Sequence, residues 1–199
     1  LETALRRLGL GEGWRCVDVG AGSGDVSVAL AEMVAPTGRV YAVDSDPRSR
    51  DTVASAAARH GAQVLALTQD AYDLLLPEQV DLAFCRFLLV HVQDPLAVVR
   101  KVSTALRPGG WFVIQEPVTS AGRIAGRPFS MEGGLHPDVG ALVPALAREA
   151  GLDLVDAWAE APAGAGPGPV ADYLEEVTGV SPGEDPVVLP PLVTALARL

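Results

Sequence analysis

The stretch "CVDVGAGSGDVS", residues 16 to 27, constrains the fold more than any other: an apolar run passes straight into three glycines spaced two apart, Gly20, Gly22 and Gly24. A strand that turns at once into a helix through so bare a backbone lets a ligand approach the main chain and meet the free N–H groups of the helix's first turn. The alternative is a tight strand-to-helix turn with no ligand. The spacing departs from the dinucleotide fingerprint Gly-x-Gly-x-x-Gly, because the sixth residue counted from Gly20 is Asp25. A carboxylate repels a pyrophosphate beside it, so the turn suits a ligand without phosphates and disfavours a nicotinamide-dependent oxidoreductase.

Strand-like and helix-like patterns alternate around this turn. Strands are expected near 14–19, 39–43, 62–67, 80–85, 110–116 and 152–158, and helices over 24–35, 47–60, 95–106 and 138–150. "RVYAVD" and "WFVIQE" are short, rich in Val, Ile and aromatics, and read as strands covered on both faces. Asp46-Pro47 and Asp94-Pro95 each put a side-chain acceptor at an N-cap with Pro at the first helical position. Gly109-Gly110 and Gly151 close helices, and "LRPGG" reads as a helix stop leading back into a strand. The pattern predicts an α/β fold, a doubly wound and mostly parallel sheet with helices on both faces. Residues 1–160 form the ligand-binding domain, and residues 161–199 are a Gly/Pro-rich connection with a C-terminal helical segment of that same domain. Residues 117–136 read as a long loop at a strand's carboxyl end, a candidate substrate lid with Gly122, Gly126, Gly133 and Gly134.

Composition narrows the function. With 49% hydrophobic and 20% charged residues among 199, the chain is an ordinary globular domain. A net charge of −10 without a basic run excludes nucleic acid as a partner. No apolar stretch is long enough for a membrane span, and no charged leader precedes an apolar run, so a soluble, cytoplasmic protein is expected. Leu1 is not an initiator Met and "LVTALARL" carries no helix stop, which reads as ends cut from something longer. Two cysteines make no disulfide framework and no zinc-like spacing, so no metal is expected. Cys16 opens the first strand and Cys85 closes the fourth; on adjacent parallel strands they stand about 13 Å apart, too far for a disulfide. Trp14, Trp111 and Trp158 begin or end strands and read as packing residues.

Asp44 ends the second strand 20 residues after Gly24, where an acidic side chain accepts bonds from ribose hydroxyls. A nucleoside derivative is therefore the expected ligand. Asp46, immediately before Pro47, reads as a helix cap instead.

"VDVGAGSGDVS", "VYAVDSDP", "TQDAYDL", "VDLAFCRFLLVHVQDP" and "ALRPGGWFVIQEP", in this order over residues 16 to 117, resemble a class I S-adenosylmethionine-dependent methyltransferase of the small-molecule type, as found in bacterial secondary metabolism or the ubiquinone-type group. The resemblance implies a Rossmann-like fold, S-adenosylmethionine as cofactor and a small-molecule methyl acceptor. It places Asp18, Gly20, Ala21, Gly22 and Gly24 under the cofactor's methionine and ribose, Asp44 on the ribose, Asp70 on the adenine amine and the Ala71 N–H on a ring nitrogen. Asp70 reads equally well as a cap for the short helix after it. Ser45 departs from the bulky apolar residue usual beside the adenine, and Leu74 is a candidate to fill in.

At the mouth beyond strand four, Arg86 pairs the methionine carboxylate, pairs a substrate anion, or neutralises a nearby acid. His91 and His136 are the imidazoles available as a general base for a protonated nucleophile, though packing or turn roles fit both. Glu116 orients the substrate or stands in solvent. The implied reaction moves a methyl group to an O, N or C nucleophile of the acceptor. The rival reading is a methyltransferase-like domain that binds cofactor or a partner without catalysis. Acceptor identity and oligomeric state are left open.

Overall fold

In a computed structural model, residues 1–129 and 134–199 are described. Seven strands form one sheet: β1 (Arg15–Val19), β2 (Arg39–Asp44), β3 (Val64–Thr68), β4 (Val80–Arg86), β5 (Leu106–Pro117), β8 (Asp153–Glu160) and β11 (Leu192–Arg198), in the order β3-β2-β1-β4-β5-β11-β8. The first five run parallel, and β11 lies antiparallel between β5 and β8. Strand order reverses between β1 and β4. Open α/β sheets take their ligands at the carboxyl ends of strands flanking such a reversal, and the glycine turn follows β1 there.

The sheet is covered on both faces, as its near-continuous apolar strands require. Cys16, Leu82, Phe84 and Val113 pack with α1 (Glu2–Leu8) and α2 (Asp25–Val34). Val17, Val19, Ala83, Phe112 and Ile114 pack on the other face with α4 (Pro95–Ser103) and α5 (Val143–Glu149). α3 (Pro47–His60) covers the β3 edge beside α2 through Val53 and Ala56. Its start carries the expected cap, with the Asp46 carboxylate accepting from the Arg48 N–H at 2.9 Å, and α4 starts likewise on Asp94.

A second, antiparallel sheet, β7-β6-β10-β9, stands apart from the main one. It comprises β6 (Arg123–Ile124), β7 (Arg127–Pro128), β9 (Ala163–Ala165) and β10 (Pro186–Val188), with α6 (Pro169–Thr178) inserted before β10. α6 packs Leu174 against Val187, Leu189, Ile124 and Phe129.

Several expectations need correction. The C-terminal helical segment is helical only over Pro169–Thr178, while Leu192–Arg198 is a strand in the main sheet. "LVTALAR" buries both faces, so its period of two carries no polar alternation and cannot be told from a helix. Over 138–150 the helix proper is Val143–Glu149, preceded by a 3-10 turn at Val139–Leu142. "LRPGG" lies within β5, where the ladder to β4 slips between Val80 and Leu82. The expected loop 117–136 contains the β6–β7 pair, and the part of the lid that includes Gly133 lies outside the described residues. α1, closed by Gly9 in a left-handed conformation, was not anticipated. Cys16 and Cys85 are buried free thiols, three residues out of register, about 10 Å along the strand. No described helix is long and apolar enough to cross a membrane.

Candidate functional site

The three glycines of the turn do different work. Gly20 and Ala21 donate their N–H groups to the Val43 carbonyl at 2.8 and 3.0 Å, tying the turn to β2. Gly22 has φ +50°, and a Cβ built on it meets no protein atom within 4 Å. Open space therefore stands over Gly22. Gly24 has φ +86°, and its Cβ would lie 3.1 Å from Val53 Cα. Its bareness admits the close approach of α3 to the turn.

Asp44 faces this space from the end of β2. Its Oδ2 accepts from the Gly22 N–H at 2.8 Å and its Oδ1 from the Asp46 N–H at 2.9 Å. A carboxylate has about four lone-pair positions, so each oxygen keeps one for a hydroxyl donor. Ser49 donates to the Gly22 carbonyl at 2.7 Å, bracing the turn from α3. A cavity of about 430 Å³ opens here, lined by Gly22, Ser23, Asp44, Asp46, Arg48 and Ser49 among others. Asp46 is engaged by the Arg48 guanidinium at 2.6 Å, and that contact, with the Arg48 N–H, holds its carboxyl below the usual range. Ser45 is exposed beside it.

Asp18 lies beneath the turn instead of on its surface. It is buried and accepts from Ser27 Oγ at 2.6 Å. Burial pushes it up to about 6, against the pull of Ser27. Asp70 is exposed and caps the 3-10 turn Ala71–Asp73 by accepting from the Tyr72 N–H at 2.9 Å, while Ala71 and Leu74 are buried in the main core. The structure thus gives Asp70 the cap and leaves its outer face to solvent.

Beyond β4 the larger cavity, about 550 Å³, is walled by Arg86, Phe87, Val90 and His91 on one side and by Pro169, Val170, Tyr173, Val177 and Leu189 on the other. His91 is exposed on this wall. His136 is not part of it: its Nε2 lies 3.1 Å from the Gln93 carbonyl oxygen and its own N–H bonds the Val90 carbonyl. Arg86 lines this cavity and not the one over Gly22. Its Nε is buried without a hydrogen-bond partner among the described residues, and its guanidinium lies 4.9 Å from the centre of the Phe87 ring. Phe87 itself holds φ +54°, an uncommon conformation for a bulky residue.

Glu116 neither touches this cavity nor stands in solvent, which corrects both expectations. It is fully buried, with Oε1 accepting from the Leu88 and Leu89 N–H groups at 2.8 and 2.7 Å and Oε2 from that of Val90 at 3.3 Å. These bonds clamp the turn that carries Arg86, Phe87 and His91. Burial lifts Glu116 to about 7 against the three donors. The C-terminal wall was missed in the sequence because "APAGAGPGP" signals only a connection. The apolar spacing Val170, Tyr173, Leu174, Val177 is the one feature that pointed to a packed helix there.

Residues 17–114 match the family described as a methyltransferase domain. Among curated relatives, the demethylmenaquinone methyltransferase of Geobacillus kaustophilus is 32% identical over 117 residues, 58% of this chain and 50% of that protein. A ubiquinone biosynthesis O-methyltransferase of Xanthomonas euvesicatoria is 35% identical over 112 residues, 55% and 45% of the two chains. The chain spans about half the length of these relatives. A crystal structure of an S-adenosylmethionine-dependent methyltransferase from Aquifex aeolicus superposes with a TM-score of 0.69 at 19% identity, covering 100% of this chain and 89% of that one. In its whole-chain fold, in the family match through β1 to β5 and in an acid facing a bare glycine turn, this chain is similar to the class I S-adenosylmethionine-dependent methyltransferases.

Proposed function

We propose that this protein transfers a methyl group from S-adenosylmethionine to an O, N or C nucleophile of a small-molecule acceptor. The observation that carries the reading is the open space over Gly22 beside a carboxylate, Asp44, whose two oxygens are already aimed by backbone N–H groups. These residues fit the methionine and ribose parts of the cofactor: Gly22 admits it against the main chain, and Asp44 accepts from the ribose hydroxyls. Asp18 and Ser27 support the turn from below, and Ala71 is a backbone donor for the adenine edge, with Asp70 at the rim. When bound, S-adenosylmethionine supplies an electrophilic methyl on a sulfonium, so no covalent link to the protein is needed.

The chain's own task is then to hold the acceptor nucleophile in line and keep water away, worth up to several kcal/mol of barrier. Val90, Val170, Leu189 and their neighbours line the larger cavity with apolar surface that disfavours water. His91, on its wall, is the group placed to take a proton from a hydroxyl nucleophile, whereas His136 holds the 90–93 turn. The names of the relatives make demethylmenaquinone and ubiquinone-pathway phenols the first acceptors to screen.

Titration calorimetry with S-adenosylhomocysteine and with NAD tests the cofactor reading, and methyl transfer across the acceptor panel tests catalysis. Binding of S-adenosylhomocysteine with turnover is expected. Binding of NAD alone overturns the assignment, and cofactor binding without any turnover supports a non-catalytic domain.

A further inference from the structure

The larger cavity is apolar almost throughout, yet it holds one cation. Among the described residues, no carboxylate lines it and none lies within ion-pair distance of Arg86. The formal charge is −10, with 25 acidic residues against 15 basic, so an arginine without an acid partner among the described residues is conspicuous. Among the described residues, two of the four buried side-chain polar atoms lacking a hydrogen-bond partner, Arg86 Nε and Thr119 Oγ1, belong to residues of this wall. Thr119 is itself 5% exposed. Leaving such groups unpaired costs free energy.

Position matters as much as charge. Arg86 ends β4, the Glu116 clamp fixes the turn after it, and Phe87 lies against the guanidinium. The opposite wall is built by α6 and the residue that follows β10, with Val170, Tyr173, Val177 and Leu189 and no cation among the described residues. A ligand filling this space therefore meets apolar surface over most of its body and one partly buried guanidinium at one end. In low dielectric that pairing is strong, and a neutral isostere forfeits it.

We propose that the acceptor is an amphiphilic organic acid, an apolar body of one or two rings carrying a single anionic oxygen group, and that Arg86 is the counter-charge for that group rather than for the cofactor's carboxylate. This rests on the larger cavity being the acceptor site of the proposed methyl transfer. Carboxylate and phenolate share the chemistry, and the probes distinguish them.

The probes are 2-naphthoate, 6-cyano-2-naphthol at a pH above its ionisation, and neutral 2-naphthalenemethanol, titrated into the whole chain by calorimetry. S-adenosylhomocysteine is titrated separately. One or both anions should bind at least about tenfold tighter than the alcohol, and the favoured anion names the group. Arg86→Met should abolish that preference and leave S-adenosylhomocysteine affinity within about twofold, while Arg86→Lys should keep part of the preference. Because Arg86 is partly buried and Arg86→Met can fail to fold, a second pair acts from the half-exposed opposite wall. Val177→Glu should weaken anion binding well beyond Val177→Gln, with the alcohol affected equally by both. Equal binding of anions and alcohol by the wild type overturns the proposal. So does an Arg86→Met variant that loses S-adenosylhomocysteine but keeps the anion preference. A wild type that discriminates anions yet ignores S-adenosylhomocysteine sinks the methyl-transfer reading instead and leaves the anion site standing.

Discussion

Asp44 and Asp46 stand two residues apart and differ only in what meets their oxygens. Asp44 takes two backbone N–H groups and keeps lone pairs toward the cavity, whereas Asp46 is occupied by the Arg48 N–H and guanidinium. Asp44→Asn should therefore cut S-adenosylhomocysteine affinity at least about tenfold, since hydrogen bonds to a charged acceptor are worth ~1.5–3 kcal/mol each. Asp46→Ala should lower the urea midpoint by removing a cap, with affinity nearly kept. The reverse pattern would put the ribose contact on Asp46. Glu116 offers a pH signature. Its folded value, about 7, stands above the ordinary 4.5 because burial disfavours the anion, so its protonated form favours folding. That contribution is complete below about 4.5 and is lost as pH rises toward 7. Glu116→Gln removes this titration, so urea midpoints of variant and wild type should diverge with rising pH over that window, moving in favour of the variant. A constant gap would mean that Glu116 stays ionised throughout.

At the level of elements, the glycine turn divides between ligand and packing. Gly22→Val fills the open space and should abolish cofactor binding in a chain that still folds, although φ +50° strains any side chain. Gly24→Ala instead drives a methyl group against the α3 backbone at Val53, so its thermal midpoint should fall further than that of Gly22→Ala. Equal losses would mean that the α2–α3 contact yields freely. The same division explains what could be read from the sequence. The elements from β1 to β4, with α2, α3 and their caps, were legible because glycines, Asp-Pro pairs and β-branched runs mark them locally. Asp44 was legible because its distance from the turn is set by one helix and one strand. Glu116 was not, since its partners, the N–H groups of 88–90, are brought to it only by the pairing of β4 with β5. β11 was misread because a strand buried on both faces shows no polar alternation.

For the whole molecule, the position of β11 decides how far the C-terminal segment shares the stability of the rest. It pairs with β5 from Leu192↔Pro117 to Arg198↔Trp111 and with β8 from Leu192↔Glu160 to Arg198↔Asp153. β8 is the sheet's edge and has no other partner in it. Ala195 and Ala197 join the core on the α4–α5 side, and Leu196 joins the cluster beneath α1. Thr194 Oγ1 accepts from Gln115 Nε2 at 2.9 Å, a buried bond linking the strand to the row that includes Arg86. Removing residues 191–199 would therefore strip β8 of its ladder, unpair one side of β5 and open both core clusters, losses that exceed the usual few kcal/mol of a single core truncation. A chain ending at residue 190 should lack the cooperative urea transition of the full chain, followed by tryptophan fluorescence. In the full chain, β11 amides should exchange hydrogen as slowly as those of β1 and β4, while the short strands β6 and β7 exchange through local opening. A truncated chain that unfolds cooperatively at the wild-type midpoint, or fast exchange across 192–198, would show β11 to be an appendage to the sheet rather than part of its cooperative core.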